Sequence, residues 1–320
     1  MERNMKVGVV QTGSVYGDTA ATIDKAEQWI AKAADQACEL VVFPEAFVGG
    51  YPKGGGFGVV VGVRTEAGRD EFASYFQASI VVPGPETDRL SKAAAKAGAF
   101  VVMGVIEREL GTLYCTVLFF SPTGELLGKH RKLMPTAGER VVWGYGDGST
   151  LPVFDTPAGK MGAVLCWENY MPMLRMAMYA QDIAVYCTPT ADDRPTWVPS
   201  MQHIAREGRC YVLSSCQFIR RGDFPADYDC TISNDNDAIL MRGGSVIVDP
   251  LGTVIAGPVF DEDALLTAII DPVQIARGKL DFDVAGSYAR PDVFQLTVNQ
   301  KANAPVVFKD SASVTGGSHE

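Results

Sequence analysis

A cysteine stands in LCWENYMPMLR (Leu165 to Arg175), between an apolar run and a cluster of Trp, Glu and Asn. A thiol attacks only as its thiolate, so a nucleophilic Cys166 needs a base or a positive neighbour. Two other places offer them. Glu45 follows the run VVFP, and Lys132 closes the segment LLGKHRK. A glutamate in apolar surroundings has a raised proton affinity and can take and return a proton near neutral pH. A lysine beside both offsets the carboxylate's charge and can stabilise the anion formed when an electrophilic carbon is attacked. Plainer readings stand beside these: Cys166 as a small buried hydrophobe, Glu45 as a helix cap or rim carboxylate, Lys132 as a guard on a sheet edge. Spacing alone does not bring the three together.

The elements that must position them can be read from periodicity. KVGVVQT (6–12) and ELVVFPE (39–45) read as short buried strands. Between them Ile23, Ala26, Ile30, Ala33 and Ala37 recur at helical spacing, with Asp18 or Thr19 as cap. That strand–helix–strand unit favours parallel pairing through a right-handed crossover. GPETDRLSKAAAKAGAFVVMGVIE repeats the pattern, with Pro85 in the first helical turn and a strand from Phe100 to Ile106. Three hairpins follow, around Pro-Thr-Gly (122–124), Pro-Ala-Gly (157–159) and the Asp-Pro-Leu-Gly of GGSVIVDPLGTVIAGP. Helices at about 172–181 and 196–207 interleave with them, which implies large mixed sheets covered by helices. Glu45, Lys132 and Cys166 all fall where a strand ends, the place where loops meet a rigid sheet and catalytic groups gather. The helix after Pro172 would lend its positive end to a Cys166 thiolate if the intervening turn brings it close.

The 320 residues are 47% hydrophobic, enough for a substantial core, and no composition shift or linker divides them. The reading is one domain over 1–305, with the polar, glycine-rich residues 306–320 as a disordered tail. A net charge of −10 argues against nucleic-acid and acidic-membrane partners, which call for basic surfaces. The N-terminus has no signal-peptide core, and no apolar stretch approaches the roughly 18 residues of a membrane span. The seven cysteines form no C-x-x-C pair and sit mostly in apolar runs, which points to reduced thiols and a cytoplasmic protein. His130, His203 and His319 are scattered and have no partner at metal-ligand spacing, so no metal is expected. GYGDGS (144–149) precedes a strand and not a helix, YPKGGGFG lacks the Gly-Lys-Ser/Thr of a phosphate loop, and no G-x-S-x-G elbow exists.

Longer blocks carry a family resemblance. FPEAFVGGYPKG, GKHRKLMPTAGERVVWGYGDGS and AVLCWENYMPMLRMAMYAQ resemble the signature blocks of the nitrilase branch of the carbon–nitrogen hydrolase superfamily. YCTPTADDRPTW, HIAREGRCYVLSSCQF and YARPDVFQL resemble plant-type nitrilases and their bacterial relatives. The resemblance implies an α/β fold, a four-layer α-β-β-α sandwich, and a thiol enzyme with a Glu-Lys-Cys triad. It carries the base onto Glu45, the lysine onto Lys132, the nucleophile onto Cys166, and a second glutamate that helps hold lysine and substrate onto Glu139. It implies hydrolysis of a nitrile to the acid and ammonia through a covalent thioimidate and thioester, with no cofactor. It also implies homodimers that stack into larger spirals.

The sequence departs from the plant pattern at Gly138, where relatives carry a bulkier residue, and at Ser287, where they tend to carry His. Tyr51, Trp167, Asp192 and Trp197 are pocket candidates, each with ordinary core packing as its plainer reading. The segments 52–72 and 220–237 read as surface insertions involved in subunit contacts. An amidase of the same superfamily, or a silent binding protein that keeps the fold, are the rival functions. Trp167 after the cysteine and TADDRPTW favour the nitrilase.

Overall fold

The computed structural model describes residues 2–304, 306 and 307, so all but the first two residues of the expected 306–320 tail, His319 included, lie outside the described residues. The strand Met5–Gln11 is followed by a helix, Thr19–Asp35, started by Asp18, whose carboxylate accepts from Ala21 N–H at 2.9 Å. The chain then returns as Leu40–Val42, parallel to the first strand. Ala37 falls outside that helix: it lies past its end, exposed, at a φ of 58°. The second helix, Pro85–Ala97, and the strand Phe100–Glu109 repeat the unit.

Two mixed sheets result. The first runs, edge to edge, Ala264–Ile270, Met5–Gln11, Leu40–Val42, Phe100–Glu109, Thr112–Phe120 and Leu126–Arg131. The second runs Phe218–Arg220, Ile239–Val248, Tyr211–Cys216, Ile183–Thr190, Gly159–Ala163 and Phe154–Thr156, with Val254–Phe260 also paired to Ile239–Val248. The central strands are mostly apolar because both faces are buried. On one face Val7, Val9, Leu40, Val42, Val117 and Phe119 meet Met161, Ala163, Val185, Cys187 and Leu213 of the other sheet. On the opposite face Val41, Val101, Leu118 and Phe120 lie under Ile23, Ile30, Leu90 and Ala94 of the two N-terminal helices. Likewise Val164, Tyr186, Val212 and Val246 lie under Leu174, Met178, Met201 and Ile204 of Pro172–Tyr179 and Trp197–Gly208. The layers are therefore helix, sheet, sheet, helix.

The sequence reading missed the tight Leu110–Gly111 hairpin, the strand Ala264–Ile270 and the helices Glu66–Ala78 and Pro272–Asp281. It read the two insertions as surface segments, and most of their residues are exposed, but it did not foresee that the two are joined. Thr231 N–H and its hydroxyl both donate to Gly54 O, at 3.0 and 2.9 Å, and Tyr228 OH donates to Lys53 O at 3.3 Å. Phe57 of the first segment and Phe224, Tyr228 and Cys230 of the second are buried. The segments are bonded to each other and form one joined lip. Val60, Val61 and Val63 of a small hairpin at its tip are exposed, as is Ile232 on the other segment.

Candidate active site

The three strand ends meet. Glu45 sits in the turn after Leu40–Val42, which passes so close to the neighbouring strand that a Cβ on Gly104 would lie 2.0 Å from Pro44 O. Only glycine admits that approach. From the second sheet, Gln217 Nε2 donates to Glu45 O at 2.8 Å and holds the turn. Lys132 follows the last strand of the first sheet, its N–H bonded to Cys115 O and its carbonyl accepting from Gly146 N–H, each at 2.8 Å. Cys166 begins the short turn Cys166–Tyr170 at a φ of 47°. A side-chain-bearing residue held in that region is strained, and such strain concentrates at functional sites. Asn169 holds it there, Nδ2 donating to Cys166 O at 2.8 Å and Val164 O at 3.0 Å. The turn, with Met171, separates Cys166 from the helix that starts at Pro172.

Lys132 Nζ donates to Glu45 Oε1 and to Glu139 Oε2, each at 2.7 Å. Tyr51 OH donates to Glu139 Oε1 at 2.8 Å. The Cys115 thiol donates to Glu45 Oε1 at 3.4 Å and the Thr190 hydroxyl to the Cys166 sulfur at 3.2 Å. Glu45 Oε2 is buried without a hydrogen-bond partner. Burial raises the Glu45 carboxyl above the usual carboxylate range, although Lys132 opposes the rise. Burial alone would lower the Lys132 ammonium; Glu45, Cys166, Cys115 and Glu139 instead hold it well above the ordinary lysine value. Burial and Glu45 together keep the Cys166 thiol well above a free cysteine, against the pull of Lys132 and Thr190. These surroundings favour a protonated thiol beside a carboxylate of high proton affinity and a cationic amine. It can move a proton off sulfur when an electrophile arrives.

The group opens into a cleft of about 730 Å³ whose lining includes Tyr51, Glu139, Cys166, Trp167 and Asp192. Trp167 Nε1 donates to Asp192 Oδ2 at 2.8 Å, and the Arg194 guanidinium lies 4.6 Å over the indole ring while also pairing with Asp192. Burial would raise the Asp192 carboxyl, but the bonds from Arg194 and Trp167 bring it below its usual range. Lys53–Phe57 and Val59 from one part of the lip, and Thr231 and Ile232 from the other, complete the wall. The expectation for Trp197 is corrected: it is 1% exposed in the outer core, Nε1 bonded to Ser214 Oγ at 2.8 Å, and does not line the cleft. An indole at the start of a helix with an apolar stripe has its place in the core, and the sequence reading gave that too little weight. Gly138 has nothing within 4 Å of an added Cβ, so a bulkier residue would fit there, and Ser287 is exposed. Among the described residues no group of three or more His, Cys, Asp or Glu is arranged to hold a metal.

Sequence reading missed Cys115, Thr190, Asn169 and Gln217. The first two carry no spacing signal. Asn169, three residues past the cysteine, and Gln217, at a strand end like the other three, had position in their favour.

The fold and the site define a carbon–nitrogen hydrolase: the profile described as "Carbon-nitrogen hydrolase" matches residues 6–279, and the chain belongs to that family. It is 58% identical over 301 residues to a protein named a nitrilase from Bradyrhizobium diazoefficiens, covering 94% of each chain. It is 56% identical to Nitrilase 1 of Arabidopsis thaliana (95% of this chain, 89% of that protein) and 55% identical to an aliphatic nitrilase of Sinorhizobium fredii (94% and 98%). Among solved structures, a carbon-nitrogen hydrolase from Helicobacter pylori superposes with a TM-score of 0.73 at 18% identity, covering 92% of this chain and 97% of that one. That likeness bears on the fold.

Proposed function

We propose that this chain is a nitrilase, hydrolysing a nitrile to the carboxylic acid and ammonia. One observation carries the chemistry: a thiol that lines a cleft is backed by a buried carboxylate of high proton affinity and a buried ammonium. Relatives named nitrilases, more than half identical over nearly their whole length, support the choice of a nitrile over an amide.

In this reading Cys166 sulfur attacks the nitrile carbon while Glu45 takes the thiol proton and passes it to the nitrile nitrogen, giving a thioimidate. The unpartnered Glu45 Oε2 is the atom free to do so. Water adds to the thioimidate carbon, ammonia leaves, and a thioester remains. A second water, deprotonated by Glu45, releases the acid and returns the proton to sulfur. Breaking the C–S bond before ammonia leaves would give the amide instead. Lys132 and the backbone N–H of Trp167 stabilise the anionic species, and Glu139 holds Lys132, itself held by Tyr51. Trp167, Asp192 and the lip shape the pocket.

Residues 1–305 are read as one domain, supported by the core shared between the two sheets. The cytoplasm is proposed as its location: all seven cysteines are free, and no described helix is long and apolar enough to cross a membrane. Assembly of homodimers into larger spirals is proposed, with the valine tip of the lip as a contact. Ammonia release measured across a panel of nitriles and the matching amides tests the function. Release from the amides alone would make this an amidase; release from neither would leave a silent relative.

A further inference from the structure

Glu168, two residues past Cys166, reaches away from the cleft and is fully buried. One carboxylate oxygen accepts the Leu133 N–H, the peptide nitrogen joined directly to Lys132. The other accepts the Leu165 N–H, one residue before Cys166, at 3.0 Å, and lies 3.0 Å from His130 Nε2. The bond to Leu165 alone would be an ordinary cap on the turn Cys166–Tyr170. The bond to Leu133 is not: it crosses from one sheet's strand end to the other's. Within the two turns, a single carboxylate spans the backbone that carries the amine and the backbone that carries the thiol.

His130 fixes that carboxylate in turn. Its Nδ1 lies 2.6 Å from Thr150 O, which can only accept, so Nδ1 carries a proton and points Nε2 at Glu168. Burial would lower the imidazole's proton affinity, but Glu168 and Thr150 O raise it above the ordinary histidine value. With Nδ1 already donating to Thr150 O, the 3.0 Å contact between Nε2 and Glu168 is a hydrogen bond with one proton between the two groups, so the carboxyl group is held by three hydrogen bonds.

We propose that Glu168 is a positioning residue that sets the spacing of Lys132 and Cys166, with His130 as its anchor. The proposal rests on reading those two residues as the reacting groups. An amide in place of the carboxylate turns an NH₂ toward Leu133 N–H or toward Leu165 N–H. One of the two turns is then released. A shift of about 1 Å between reacting groups costs on the order of 100-fold in rate.

The test is steady-state ammonia release by Glu168→Gln, His130→Leu and His130→Gln on whichever nitrile the wild type hydrolyses. Glu168→Gln and His130→Leu are expected to lower kcat about 100-fold with KM within about 3-fold, since binding surfaces are untouched. His130→Gln, whose amide N–H can replace Nε2–H, is expected to stay within about 10-fold of wild type. Wild-type kcat in Glu168→Gln, or a loss confined to KM, overturns the proposal. So does an equal loss in His130→Gln and His130→Leu, which would make His130 a filler of space. Should Glu168→Gln fail to fold, the comparison of the two His130 variants decides. Hydrolysis by wild type and its loss in Cys166→Ala report separately on the underlying reading.

Discussion

Lys132 Nζ stands 2.7 Å from Glu45 Oε1, and both side chains are wholly buried. The second contact of Lys132, to Glu139, makes the ammonium a strut between two carboxylates as well as a charge. A guanidinium is planar and places its donors farther out, so charge can be kept while geometry is lost. Lys132→Arg is expected to lose activity nearly as fully as Lys132→Ala, each on the order of 100-fold or more in kcat. Most of the wild-type turnover surviving in the arginine variant would reduce Lys132 to a general positive field.

Cys166→Ala and Cys166→Ser are expected to abolish nitrile hydrolysis while melting near the wild-type temperature. A serine hydroxyl is a far weaker nucleophile than a thiolate. Mass spectrometry after incubation with a nitrile should place any trapped adduct on the peptide containing Cys166. An adduct on Cys187, Cys210 or Cys216, all buried away from the cleft, overturns the assignment.

Glu45 must be unprotonated to accept the thiol proton, and burial raises its carboxyl above the ordinary 4.5. Activity should therefore fall as pH drops through that raised value, placing the acid limb of kcat/KM above pH 4.5. Because Glu45, Lys132, Glu139 and Cys166 interact, the limb belongs to the cluster and not to one residue. A profile flat down to pH 4.5, with the circular dichroism of a folded protein, would remove Glu45 as the base.

The two tryptophans predict opposite phenotypes. Trp197→Ala should cost about 3–5 kcal/mol of stability, from a cavity in the outer core and the lost bond to Ser214 Oγ, which keeps its own bond to Thr188 O, with KM little changed in the folded fraction. Trp167→Ala, in the cleft wall and 38% exposed, should shift KM and the ranking of nitriles at little cost in melting temperature. Reversal of these two patterns would put Trp197 back in the pocket.

With a net charge of −10, subunits repel at close range, so assembly should strengthen as salt screens that repulsion. Light scattering across a salt series should show growth that Val61→Asp, at the bare tip, suppresses. A dilution-stable, fully active monomer would sink the assembly proposal; a dimer that never grows would remove only its spirals.

What could be read from the sequence follows from how far each signal extends along the chain. The strand–helix–strand units declare themselves because one helical face and two apolar strands lie within about forty residues. The α-β-β-α stacking came only with the family resemblance. Glu45, Lys132 and Cys166 share a legible position at strand ends, but their meeting depends on contacts across 87 residues and more, such as Lys132 to Glu45. Trp197 and Tyr51 look alike as isolated aromatics; one packs under a helix and the other reaches Glu139. The helix Glu66–Ala78 was hidden because its buried face is short, comprising Gly68, Tyr75 and Ala78, in a segment otherwise rich in glycine and charge.

The joined lip separates the wall of the cleft from the groups at its floor. The groups proposed to react sit on turns held by hydrogen bonds from both sheets, so exchanges there are expected to cost activity. Gly54 and Thr231, 177 residues apart in the chain, meet above them on segments that contribute no reacting group. Gly54 itself has no room for a side chain, its Cβ falling 2.8 Å from Cys230 Sγ, but the wall residues Val59 and Ile232 are partly exposed and can change without touching the groups below. A lineage built this way diversifies in appetite faster than in mechanism, and a laboratory library confined to the lip should retain turnover in most members while redistributing what they accept.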